Sequence, residues 1–287
     1  MPGASVYALV KGPQAIGVSR TNQVLLFDGL MDSSSLFLTG NTSTLYAIPV
    51  IDLRADGPTV VEVPPGMLGA FNDMWFRYVG DVGPAGPDKG AGGRYLLLPP
   101  GYDGDVPDGY FVLRPRTFGV WTFMRGSVAN GLDAGVAHIV DNLKVYPLAR
   151  RDNPPEMEFI SGSGKSFNTI HPNTYEFYEH VNELVQMESD EMLDVETRGL
   201  LASIGIVKGR PFEPDDRMKR ILIDAVAIGN AIARSIVWYP RMTGARVYPD
   251  SGSNWMMGWV DKDVFFEKDG VRNLDARVMF HYPYTAV

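Results

Sequence analysis

Apolar positions in this chain follow two different rhythms. Between about residues 35 and 128, short runs rich in aromatic and β-branched residues alternate with Gly/Pro turns. The runs are "TLYAIPVIDL", "TVVEV", "DMWFRYVGDV", "RYLLLPP", "GYFVLRP" and "GVWTFMRG". Between them stand "RADGP", "PPGML", "GPAGPDKGAGG" and "GYDGDVPDG". Strands at this spacing, without helices between them, predict an antiparallel sandwich or barrel.

After about residue 130 the rhythm lengthens. "LDAGVAHIVDNLKVYPL" has the pattern of an amphipathic helix. "NTYEFYEHVNELVQ" follows with Asn173 as N-cap and Phe177, Val181 and Leu184 as its apolar stripe. "DVETRGLLASIGI" predicts a short helix capped by Asp194, and "PDDRMKRILIDAVAIGNAIARSIVWY" the longest one. A last helix begins in "GVRNLDARVMFHYPYTAV" and is expected to stop at Pro283. The fold class is therefore α+β, an antiparallel β-sandwich domain followed by a mainly helical domain. The expected boundaries are a helical or extended lead-in over residues 1–34, the sandwich over 35–150 and the helical domain over 151–287.

Composition narrows the functional classes. The chain has 287 residues and a net charge of −8, with no basic cluster, which argues against nucleic acid and anionic membranes as partners. It contains no cysteine, so disulfides, thiolate metal sites and a cysteine nucleophile are all excluded. No charged segment followed by an apolar one opens the sequence as a signal peptide would, and no apolar run approaches the roughly 20 residues of a membrane span. No cofactor or metal is assigned. Glu176, His180 and Glu183 share a helix face, but a solvated face is the simpler reading.

One stretch imitates a nucleotide-binding loop. "ISGSGKSFNTIHPN" contains Gly-Ser-Gly-Lys-Ser, yet Phe159 stands where the first glycine of a phosphate loop belongs. The double proline upstream argues against a strand before it, and Pro172 argues against a helix after it. "SGSNW" lacks the setting of a nucleophile elbow.

Binding chemistry is better placed on the β-rich half. Asn41, Thr42, Ser43, Thr44 and Tyr46 gather neutral donors and acceptors at the entry to a strand, a set suited to a hydroxylated or carboxylated ligand. In "NDMWFRYVGDV", a period of two puts Asp73, Trp75, Arg77 and Asp81 on one face. There the indole would stack on a sugar-like ligand, and Asp73 or Asp81 would act as acid or base. Arg114, Arg116 and Arg125, on neighbouring predicted strands, would make an anion clamp, and Lys89 sits in a glycine-rich loop that could serve as a lid.

Several long stretches resemble one family. "NQVLLFDGLMDSSSLFLTGNTSTLYAIPVIDL", "GPAGPDKGAGGRYLLLPPGYDGDVPDGYFV", "GKSFNTIHPNTYEFYEHVN" and "GLLASIGIVKGRPFEPDDRMKRIL" are similar to proteins carrying the domain of unknown function 1254 in its long form. The family's Asn-Thr-any-Thr-Leu-Tyr motif matches Asn41 to Tyr46. The resemblance implies a sandwich-like domain, a helical domain and then a further β domain, the domain of unknown function 1214, with export in bacteria or occurrence in large viruses. Nothing after "HYPYTAV" supplies that further domain, so it, or a second copy of this chain meeting the helical domain, is the expected partner. The family carries no settled activity. Two functions follow from the residues: an enzyme acting on a small polar or carbohydrate-like substrate through a site on the β domain, or a non-catalytic binding or structural module.

Overall fold

A computed structural model of the chain describes residues 1–37, 40–239, 246–248, 250–253, 255–257, 266–268 and 271–285. Of the motif stretches above, Leu38 and Thr39 beside the Asn41 turn and Asn254 in "SGSNW" lie outside the described residues. The chain forms two compact units. The β-rich unit is Leu9–Thr169 with Glu188–Leu193, and the helical unit is Met1–Ala8, Ile170–Met187 and Asp194–Val287. Helix α1 (Pro2–Lys11) begins in the second and ends in the first.

In the β-rich unit the elements are β1 (Gln23–Phe27), β2 (Leu45–Pro49), β3 (Ile51–Asp52), the single turn α2 (Leu53–Asp56), β4 (Thr59–Val63), β5 (Leu68–Asp73), β6 (Tyr78–Val82), β7 (Gly93–Leu97), β8 (Phe111–Leu113), β9 (Gly119–Gly126), α3 (Leu132–Asn142), β10 (Lys144–Pro147) and β11 (Glu158–Ser161). One sheet runs β11-β1-β2-β9-β5-β6, with β3 also on β9; the other runs β10-β4-β7-β8. Both are open and mixed rather than antiparallel throughout, because β11 lies parallel to β1 and β8 parallel to β7. Each parallel pair is reached by a long excursion of the chain, which a hairpin cannot make.

The two sheets share one apolar core. Val24, Leu26, Leu45, Ala47, Phe71 and Met124 of the first meet Val61, Val63, Tyr95, Leu97 and Val145 of the second. The alternate residues of the first sheet are also covered: Leu25, Phe27, Tyr46 and Ile48 pack with Val18, Met31, Phe37, Phe123 and Phe167. Burial on both faces explains why β1 and β2 read as unbroken apolar runs rather than alternating ones. Burying one such leucine or phenylalanine contributes about 1.5–3 kcal/mol.

Four local expectations are corrected here. "DMWFRYVGDV" is not one strand but the turn of a hairpin, β5 ending at Asp73 and β6 starting at Tyr78. The helix of α3 stops at Asn142, and "KVYP" becomes β10, pairing with β4 through Tyr146 opposite Val60. A strand, β11, does precede the Gly-Ser-Gly-Lys segment despite Pro154 and Pro155, which lie just outside it. Residues 23–27, expected in the lead-in, supply β1.

In the helical unit, α4 (Glu176–Met187) buries Val181, Leu184 and Val185. Helix α5 (Val195–Ser203) is capped by Asp194, whose carboxylate accepts from the Thr197 amide at 2.7 Å. Helix α6 (Asp216–Trp238) is capped in the same way by Asp215. Two-residue strands β12 (Glu267–Lys268) and β13 (Val271–Arg272) pair before α7 (Leu274–Thr285), which runs through Pro283 rather than stopping there. By length and composition α6 is apolar enough to cross a membrane, with a mean hydropathy of 1.6 over its best window, so the apolar run missed in the sequence is present. Ile223, Ile228 and Ile232 are exposed along it.

Candidate functional site

Strand β9 positions most of the candidate chemistry, because it pairs with β2 on one side and with β5 on the other. Arg125, near its end, lies opposite Tyr46 of β2 and Leu68 of β5. Val120, near its start, lies opposite Asp73. Five residues of strand separate the two rows, about 17 Å. The single site expected from Asn41, Thr44, Tyr46, Trp75 and Arg125 therefore divides into two groups at opposite ends of β9.

At the first end, the Asn41 turn closes on itself. The Asn41 side-chain oxygen accepts from the Ser43 amide at 2.9 Å, the Ser43 hydroxyl at 3.1 Å and the Thr44 hydroxyl at 2.9 Å. Its amide group and its backbone N–H donate to the Tyr46 hydroxyl at 2.8 and 2.9 Å. This is an Asx-type turn locked onto a buried phenol, so Asn41 and Thr44 spend their polar atoms within the turn. Thr42 and Ser43 remain exposed.

Arg125 is the unspent group here. Its guanidinium lies over the Phe123 ring at 5.2 Å and over the Tyr46 ring at 5.7 Å. The side chain is half-buried, and its Nε is fully buried with no hydrogen-bond partner among the described residues. Among the described residues no carboxylate pairs with it. A guanidinium offers five donors in a fixed fork, so leaving one half-desolvated and unpaired costs stability unless an acceptor arrives.

At the second end, Asp73 anchors the β5–β6 turn. One carboxylate oxygen accepts from the amides of Trp75 at 2.8 Å and Arg77 at 2.9 Å; the other pairs with the Arg77 guanidinium at 2.7 Å. Arg77 also donates to the Met192 carbonyl. These bonds hold Phe76 in the left-handed region at φ 59°, where a side chain is unfavourable. Trp75 is buried in this turn, and the neighbouring Trp121 packs on Phe76 and Phe123, its indole N–H lacking an acceptor among the described residues.

The two proposed acid/base residues do not face each other. Asp73 shares the parity of core-facing Phe71 on β5, whereas Asp81 lies opposite Ala70, on the other face of the sheet, and accepts from the Tyr78 hydroxyl at 3.0 Å. The expectation of one shared face fails because the hairpin turn and a bulge between the two segments break the period of two. The arginine clamp fails as well. Arg114 and Arg116 follow β8 in the second sheet and are exposed, while Arg125 belongs to the first.

The loop holding Lys89 is tied down by Asp88. That buried carboxylate accepts from the Gly83 amide at 2.8 Å, the Tyr95 hydroxyl at 2.6 Å and the Gly92 amide at 3.2 Å. Lys165 is exposed in a loop, and α4 begins too late to serve as the helix of a phosphate site. On α4, His180 lies 3.4 Å from Glu176 and Glu183 accepts from the Tyr7 hydroxyl; among the described residues no metal-holding group of His, Asp and Glu forms.

One buried acid escaped the sequence reading. Glu188, almost fully buried, accepts from the consecutive amides of Phe118 and Gly119. Burial outweighs those bonds and pushes its carboxyl up to about 7. No local pattern marks it, because its partners lie some 70 residues away.

A mixed, two-sheet α+β scaffold with a polar turn locked at one sheet end is what this geometry defines. Residues 21–147 match the family model described as "Protein of unknown function (DUF1254)". No curated protein matches the chain. Among solved structures, it is similar to the crystal structure of the VPA0106 protein from Vibrio parahaemolyticus, with a TM-score of 0.57 at 17% identity over 85% of this chain. The match spans 58% of that protein's length, and at that identity it speaks for the fold alone.

Proposed function

We propose that the β-rich unit is a β-sandwich binding module for a small, hydroxyl-bearing carboxylate. Arg125 is the counter-ion, and the locked Asn41–Tyr46 turn shapes the approach with the exposed hydroxyls of Thr42 and Ser43. The observation that carries this is the half-buried guanidinium of Arg125, stacked on two rings and without a partner among the described residues. A planar carboxylate meets such a fork with two charge-assisted bonds. Catalysis by Asp73 and Asp81 forms no part of this function, since their groups lie apart and are engaged within the fold.

Titration calorimetry of the chain with glucuronate and glucose tests it. Glucuronate should bind and glucose, lacking the carboxylate, should not. A hydrogen bond to a charged group contributes about 1.5–3 kcal/mol, so Arg125→Gln should weaken glucuronate at least tenfold. Equal binding of the two sugars, or an unchanged affinity in Arg125→Gln, would overturn the proposal.

A further inference from the structure

The helical unit contains a groove of about 240 Å³ beside α4, α6 and α7, whose lining includes Met1, His171, Phe177, Val226, Gly229 and Tyr282. Two features of its lining point to a ligand. The first is His171, 4% exposed, whose ring lies edge-on to Phe177 at 5.6 Å. Its Nδ1 stands 3.2 Å from the carbonyl oxygen of Pro172. A carbonyl can only accept, so Nδ1 carries the ring proton and Nε2 is a bare acceptor. That Nε2 is buried and has no partner among the described residues. Desolvation lowers the ring's pKa to about 4, which keeps it in this neutral form at ordinary pH.

The second feature is Gly229, inside α6. A glycine in a helix interior costs about 1 kcal/mol relative to alanine. A Cβ built on Gly229 would meet nothing within 4 Å among the described residues, so crowding by them does not require glycine there. Its missing side chain widens the groove instead. Of the other polar groups in the lining, the Tyr282 hydroxyl donates to the Asn230 side-chain oxygen, and the Met1 amino terminus, Asn173 and Tyr178 complete the set.

We infer that this groove binds a small, mainly apolar molecule carrying one hydroxyl or N–H donor, which His171 Nε2 accepts. The size follows from scaling: an apolar cavity of about 150 Å³ takes benzene, so this one takes about ten non-hydrogen atoms. The site is separate from the carboxylate site proposed on the β-rich unit, and neither depends on the other.

The experiment uses 4-ethylphenol as donor-bearing probe and 4-ethylanisole as its donor-less counterpart, titrated into the chain labelled with ¹⁵N-histidine and followed by NMR. The phenol should shift the His171 Nε2 resonance and bind about 3- to 10-fold more tightly than the anisole, the range one neutral hydrogen bond supplies. His171→Phe should erase that preference, and Gly229→Leu should remove binding of both probes. Gly229→Leu replaces a poor helix former at an exposed position, so it keeps the test open even if His171→Phe does not fold; circular dichroism checks both. Equal affinities in the parent chain, a preference surviving in His171→Phe, or binding surviving in Gly229→Leu would each overturn the inference.

Discussion

Glu188 offers the sharpest quantitative test of the β-rich unit. Its carboxyl titrates at about 7 in the folded chain, against an ordinary value of 4.5. An acid whose folded value is raised binds its proton more tightly in the folded state, so its contribution to stability is complete below about pH 4.5 and is lost as pH rises through 7. The full shift corresponds to about 3 kcal/mol at 1.36 kcal/mol per unit. Two backbone N–H donors reach the same carboxyl, and they favour the ion; the raised value means burial wins by that margin. Glu188→Gln removes the titration and imposes a constant cost, since its amide nitrogen must face one of the two N–H groups. The assay is urea unfolding from pH 4.5 to 8, followed by the fluorescence of Trp75 and Trp121, both buried in this unit. The difference between parent and Glu188→Gln should fall by about 2–3 kcal/mol across that range. A difference that is flat, or that rises with pH, refutes the argument, because it would mean the two N–H bonds outweigh burial.

Two further outcomes are expected. Asp73→Ala removes a buried ion-pair partner and the acceptor of two turn amides, and should cost about 3–5 kcal/mol in the same unfolding assay; a loss under about 1 kcal/mol would show that the turn is held by other contacts. His171 runs opposite to Glu188: its folded pKa is depressed to about 4, so its contribution is complete above about pH 6.5 and is lost as pH falls through 4. Far-ultraviolet circular dichroism should therefore record the helical unit weakening on acidification, and His171→Phe should flatten that response.

The sequence pattern was legible where one physical signal dominated. β2, β4, β7 and β9 carry dense β-branched and aromatic runs, and α5 and α6 carry their aspartate caps. β5 was not legible, because Gly69 and Ala70 weaken its strand signal; Gly69 is small because a Cβ there would stand 2.3 Å from the Phe123 carbonyl oxygen of β9. The β5–β6 turn was hidden for a related reason. It places Phe76, not glycine or asparagine, in the left-handed region, and a buried carboxylate supplies what a turn-forming residue would. As for the candidate site, the Asn41–Tyr46 cluster and Arg125 were visible as residue types. Their grouping with Trp75 was not correct, since only the register of β9 between β2 and β5 sets which side chains become neighbours. Glu188 and His171 owe their character to burial, a property no short stretch encodes.

The division of the chain into units has a consequence for its synthesis. The β-rich unit takes its last piece, Glu188–Leu193, from beyond the segment that begins the helical unit, and Met1–Ala8 belongs with helices made at the other end of the chain. Proteins fold as they emerge, at about 5–20 residues per second, so the sheets wait a further 1–4 s after Thr169 appears for about 19 more residues to deliver Glu188 to the Phe118 and Gly119 amides. Until then those amides face water, and the first eight residues stay without their helical neighbours for longer still. A ribosome stalled between residues 170 and 187 would hold a set of sheets missing its final strut.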